Sequence, residues 1–289
     1  MKKIFIEELI KFTKKNKNIL LVVNDLGYGM VEPYAKKFPK NIYNAGVSEQ
    51  SMMGYAAGLA ATGKHVFVYS IGNFNTFRCA EQIRNDIDYH KLSVTIVSAG
   101  AGVGYGNLGY SHHAIQDYAL IRSFPNMIIA SPGDEMELKS CMEYLVKSPQ
   151  PSYLRLDKSS QFKVHNKKPK LYPGKWLKVS EYKISDKKKD IYLSTGSVIE
   201  FIQNSIKKKI FKKKSLYSIP LWSMKSKKYQ NKKIKKFNKI FVVEDHLKDG
   251  GFQSWLNECN TENKITSKSL SSKVIEKVGS QSFLMKFLK

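Results

Sequence analysis

The chain has 289 residues, 42% hydrophobic and 12% aromatic, enough for about two domains with cores of their own. No apolar run is long enough to span a bilayer, and glutamates interrupt the N-terminal stretch Met1 to Ile10 where a signal peptide would be apolar, so a cytoplasmic protein is expected. The formal net charge of +25 is mostly lysine between 163 and 239 without interleaved aromatics, which favours a solvated basic surface over nucleic-acid or membrane binding.

Helix and strand patterns then alternate. Ile4, Ile6, Leu9, Ile10 and Phe12 share roughly one face of a helix over 4–15. The aliphatic run Ile19 to Val23 reads as a strand buried on both faces, followed by the polar turn 24–29 and a short helix near 32–38. An extended run at 41–45 meets Gly46 and turns into a helix whose first turn carries Glu49. Ser48 is placed to cap that helix. Gly54, Ala56, Ala57, Gly58, Ala60 and Ala61 give it a small-residue surface for close contact with another backbone.

Strand 65–70, helix 76–90, strand 93–98, a glycine-rich loop over 99–109, helix 112–123, strand 127–131, helix 134–146 and strand 152–156 complete the first unit. Such alternation predicts a parallel sheet covered on both faces. Lysine, proline and aromatic residues then break the pattern. The expected division is a first domain over 1–165, a linker over 166–185 and a smaller α/β domain over 186–289. In the latter, strands are expected at 190–195, 215–219 and 239–244, and helices at 197–206, 227–236 and 251–258. Cys79, Cys141 and Cys259 are far apart, with neither metal-ligand spacing nor a disulfide framework.

Ligands of open parallel sheets bind beyond the carboxyl ends of the strands. That selects the loops at 24–30, 44–49, 71–78 and 99–113, with Asp25, Glu49, Phe74, Arg78, His112 and His113. On spacing alone, Glu49 reads first as an acid that faces the helix dipole. Gly104-Tyr-Gly-Asn-Leu-Gly109 matches the dinucleotide pattern G-x-G-x-x-G. Its first glycine comes too late after the strand, and Tyr110-Ser-His-His113 follows where small apolar residues are required. Adjacent histidines on a helix point about 100° apart and cannot chelate one metal together. One imidazole facing a cleft with Glu49 would suit proton transfer near neutral pH.

In order and spacing, Asn44-Ala-Gly-Val-Ser-Glu-Gln50, Arg78-Cys-Ala-Glu-Gln-Ile-Arg84 and Gly109-Tyr-Ser-His-His113 resemble the C-terminal section of transketolase and of 1-deoxyxylulose-5-phosphate synthase. Pro125-Asn-Met127, Pro151-Ser-Tyr-Leu-Arg-Leu156 and Val243-Glu-Asp-His246 with Gly250-Gly251 extend the resemblance over essentially the whole chain. It implies a parallel-sheet thiamine-diphosphate pyrimidine-binding domain, then a smaller α/β transketolase C-terminal domain.

By the same resemblance, Glu49 would hydrogen-bond a ring nitrogen of the aminopyrimidine and favour the imino tautomer that takes a proton from the thiazolium carbon. Such a carboxyl must be able to stay protonated, so apolar walls are expected around Glu49. Phe74 would stack on the pyrimidine, Arg78 would line the cofactor site, and Asp25 would lie near the cofactor and a subunit interface. His112 would contact substrate and shuttle protons. Arg155 and Lys158 would reach a sugar phosphate, Lys158 being a weaker clamp than the usual arginine.

Leu108 replaces an aspartate that contacts a substrate hydroxyl in this family, which implies a less hydroxylated or modified sugar. His113 replaces a glutamine. Nothing resembles the G-D-G…N segment that holds magnesium and diphosphate. The implied assembly therefore includes a separate N-terminal transketolase subunit holding Mg2+ and the diphosphate, as a heterotetramer. The implied reaction transfers a short carbonyl-containing unit between sugar-like substrates. Two rival readings remain: the beta subunit of a two-oxo-acid dehydrogenase, whose glycine-rich, serine-containing stretch is missing from the 99–113 loop, and a non-catalytic basic binding protein.

Overall fold

The aliphatic runs form the buried centre of a sheet. The computed structural model describes residues 1–157, 163–182, 189–259 and 264–288. In it, β1 (Ile19–Val23), β2 (Ile42–Asn44), β3 (His65–Ile71), β4 (Val94–Ala99), β5 (Ile128–Ala130) and β6 (Ser152–Leu156) lie parallel in the order β5-β6-β4-β3-β1-β2. β1, β4, β5 and β6 are buried at every position, as a sheet covered on both faces requires.

On one face, Phe5 and Leu9 of the first helix and Leu138, Met142 and Leu145 of helix Glu135–Lys147 pack against Leu21, Phe67, Val97 and Leu154. On the other, Met52, Met53 and Ala56 of helix Glu49–Ala61, with Ile83 and Ile87, cover Leu20, Val22, Val68 and Ile96. That second cluster continues through Tyr118, Trp222 and Trp255 to Ile191 and Leu193, so the two sheets share apolar core.

The second sheet contains β7 (Leu177–Ser180), β8 (Ile191–Ser194), β9 (Ser215–Ser218), β11 (Ile240–Leu247) and β12 (Ile265–Leu270), ordered β12-β11-β8-β9-β7, with only β7 antiparallel to its neighbour. Strand β10 (Leu221–Ser223) leaves this region and pairs antiparallel with β5 at the edge of the first sheet. No described helix is long and apolar enough to cross a membrane.

Some local expectations change. The segment read as a linker contains β7, whose Leu177 is buried while Lys178 is exposed, too short an apolar signal to register as a strand. The helix expected over 76–90 splits into a 3-10 turn (Phe77–Cys79), an α turn (Ala80–Gln82) and a π turn (Ile83–Asp88). Before it, Asn75 donates to the Val97 carbonyl and Thr76 to that of Gly72, so this stretch is tied to the sheet by side chains. The helix expected at 112 starts at Asp117, after a 3-10 turn over Tyr110–His112.

Candidate active site

The carboxyl ends of β1, β3 and β4 bring the expected loops together. Asn24 directly follows β1, and its buried side-chain amide donates to Glu49 Oε1 at 2.8 Å. Glu49 opens its helix with only 3% of its surface exposed. From the turn after β3, Arg78 Nη1 donates to Glu49 Oε2 at 2.6 Å. Ser48 occupies the N-cap position without a side-chain capping bond. The Glu49 carboxylate is thus aimed out of the helix, at partners on other loops.

The expectation of apolar walls is not met. One carboxylate oxygen faces an amide and the other a guanidinium. Asn24 escaped the sequence reading because a polar residue after an aliphatic strand looks like the start of a turn. Its only signal was its place at the carboxyl end of a central strand.

Phe74 sits in the turn that leaves β3, its amide bonded to the Ile71 carbonyl at 3.0 Å. The Arg78 guanidinium lies 4.8 Å from the centre of the Phe74 ring. On another side, the His112 ring meets Phe74 edge-on with centroids 5.1 Å apart. Carboxylate, guanidinium, phenyl and imidazole therefore form one continuous group.

Asn73 donates to the Ser111 carbonyl at 3.0 Å and ties the two loops, while Ser111 Oγ and His112 Nδ1 are 2.9 Å apart. Burial lowers the His112 pKa below its ordinary value, so the ring is neutral at neutral pH. His113 turns inward and is 1% exposed. Leu108 stands exposed on the turn Gly106–Leu108 of the same loop.

Asp25 has a left-handed backbone (φ 58°) and accepts hydrogen bonds from Tyr28 and Asn44, which hold its carboxyl below the usual range. Those bonds run into the exposed turn, so Asp25 adjoins the Glu49 group through its neighbour Asn24.

Arg155 is a correction. It is not a phosphate contact, because its side chain has no exposed surface and each guanidinium nitrogen already serves an internal acceptor. Nε donates to Asp117 at 2.7 Å, Nη1 to Asp245 at 2.8 Å and Nη2 to the Ala114 carbonyl at 2.8 Å. Tyr118 lies beneath the guanidinium at 4.4 Å. The sequence signal for this burial was its place within an aliphatic strand. Lys158 lies outside the described residues.

Among the described residues no group of three or more His, Cys, Asp or Glu side chains could hold a metal ion. The donor set does fit the ring end of an aminopyrimidine cofactor, with a buried carboxylate for a ring nitrogen and a phenyl face for stacking. In this conformation Arg78 covers both.

These residues form one polar and aromatic group at the carboxyl edge of a parallel α/β sheet. The chain belongs to the transketolase pyrimidine-binding domain family, whose pattern it matches over residues 1–162. It is 32% identical over 274 residues to a protein of Methanocaldococcus jannaschii assigned as a transketolase C-terminal section, covering 93% of this chain and 84% of that one. It is 28% identical over 269 residues to one subunit of the apulose-4-phosphate transketolase of Phocaeicola vulgatus, covering 91% and 84%. Among solved structures, one described as a split-gene transketolase in an inactive beta4 tetramer superposes with a TM-score of 0.82 at 24% identity, over 98% of this chain and 91% of that one.

Proposed function

We propose that the chain is the pyrimidine-binding, C-terminal subunit of a split transketolase. The enzyme would move a short carbonyl-containing unit between sugar or sugar-like substrates. The observation that carries this reading is the continuous contact from Glu49 through Arg78 and Phe74 to His112 at the open edge of the sheet. The relatives named as a C-terminal section and as a transketolase subunit support it, and none of the relatives named above is a two-oxo-acid dehydrogenase.

Thiamine diphosphate, when bound, supplies the carbanion-stabilising chemistry. Glu49 would hold a proton at a pyrimidine nitrogen, and Phe74 would offer its face to the ring. Arg78 would first leave Glu49, which its half-exposed side chain permits. His112, neutral and adjacent to Phe74, would orient the sugar and exchange a proton with one of its oxygens. Leu108 would favour a sugar lacking one hydroxyl, and Lys158 would attract its phosphate. Asp25 would border the cofactor where the two subunits meet.

Magnesium and the diphosphate would be held by a separate N-terminal subunit in a cytoplasmic heterotetramer. Support for a partner comes from the outer face of the Glu49 helix. Ser51, Tyr55, Gly58 and Ala61 are exposed there, and nothing lies within 4 Å of where a β-carbon on Gly54 or Gly58 would stand. Val47 and Phe77 beside them are exposed at 77% and 45%. Turnover should require both chains, thiamine diphosphate and magnesium. Cofactor-dependent turnover by this chain alone, or none from the pair across sugar phosphates and their deoxy or sulfo analogues, would refute the reading.

A further inference from the structure

We propose that the C-terminal domain clamps the 100–115 loop and thereby sets the position of His112, with Arg155 and Asp245 as positioning residues. This rests on the reading that His112 faces the sugar. The domain touches the loop by three routes.

The first route runs through charge. Asp245, on β11 of the second sheet, binds Arg155 Nη1, and Arg155 Nη2 holds the Ala114 carbonyl. The Ala114 amide in turn donates to the Gly102 carbonyl at 2.8 Å, which closes the base of the loop. Gly102 has φ +57°, and a β-carbon there would collide with the Asp245 carboxylate. The carboxylate therefore rests directly on loop backbone.

The other two routes are backbone bonds. The Leu247 amide, from the end of β11, donates to the Ile115 carbonyl at 2.9 Å. The Gly279 amide donates to the Gly106 carbonyl at 3.1 Å, and Leu284 fills the space beside Gly106 that a side chain would need. His112 lies between the tie at 106 and the ties at 114 and 115.

By contrast, Glu49, Asn24, Arg78 and Phe74 make their mutual contacts within the first domain. Loosening the clamp should therefore disturb the sugar while sparing the cofactor, a split that general destabilisation would not give.

The test uses Asp245→Asn in the full chain with its partner subunit, thiamine diphosphate and magnesium. The KM for sugar should rise at least tenfold while the cofactor Kd stays within twofold. In the full chain labelled with 13C-histidine, the His112 ring signal should shift and that of His65 should not. A sugar KM within twofold of the parent, or equal losses in sugar and cofactor binding, would overturn the proposal.

If the variant does not fold, hydrogen exchange on the unaltered chain decides. Ala114, Leu247 and Gly279 amides should exchange as slowly as those of β4, and exchange at the rate of an open loop would overturn it. Should the unaltered complex show no turnover, the proposed function fails, but exchange and the His112 signal still judge the clamp.

Discussion

Glu49 and Arg78 form an asymmetric pair 2.6 Å apart, the carboxylate side chain 3% exposed and the guanidinium side chain 49% exposed. The asymmetry makes the two ends unequal when deleted. Arg78→Ala removes a half-solvated partner and should cost the isolated chain at most about 1 kcal/mol. Glu49→Ala strands the buried Asn24 amide and should cost more, about 1–3 kcal/mol. Urea unfolding of the two variants measures the order, and a larger loss from Arg78→Ala would contradict it.

Gly58 offers a clean separation of folding from assembly. Nothing lies within 4 Å of a β-carbon at this position, and the residue is inside a helix. Gly58→Leu should leave the isolated chain as stable or up to about 1 kcal/mol more so, because leucine is the better helix former. The same side chain would stand on the face proposed for the partner, so association should weaken at least tenfold by light scattering or titration calorimetry. Unchanged association would move the interface elsewhere.

Stability should be highest slightly below neutral pH, because buried groups of opposite sign act on the two sides. Burial pushes His65 and His246 down to about 4 from 6.5. Their neutral forms stabilise the fold above pH about 6.5, and that stability is lost as pH falls through about 4, by about 3 kcal/mol each. Burial pushes Glu244 up to about 8 from 4.5. Its stabilising protonated form is complete below pH about 4.5 and is lost as pH rises through about 8. Thermal unfolding from pH 4 to 9 should trace both limbs, and Glu244→Gln should flatten only the alkaline one. A variant that kept the full alkaline limb would remove Glu244 from this role.

Much of the architecture was legible because buried parallel strands such as Ile19–Val23 write continuous aliphatic runs. The rule that ligands gather at strand carboxyl ends found Glu49, Phe74, Arg78 and His112 together before any distance was known. What the sequence hid depends on pairing between distant segments. β7 and β10 are short strands fixed by their neighbours in the sheets. The resemblance placed Arg155 at a phosphate, and its strand carries no mark of its two buried acids, Asp117 and Asp245, which lie 38 and 90 residues away. Around Glu49, the need for a protonatable carboxyl suggested apolar walls, whereas Asn24 and Arg78 surround it in this conformation.

The proposed role of Glu49 is to act on a cofactor whose diphosphate another chain holds. Its most direct measurement is steady-state turnover of the reconstituted two-subunit complex with thiamine diphosphate and magnesium, comparing the parent chain with Glu49→Gln. Glutamine keeps the size and a hydrogen-bonding oxygen for Asn24 but cannot hold and release the proton. We expect turnover to fall at least a hundredfold with the circular dichroism spectrum and partner affinity unchanged. A Glu49→Gln complex working within threefold of the parent would contradict the assignment.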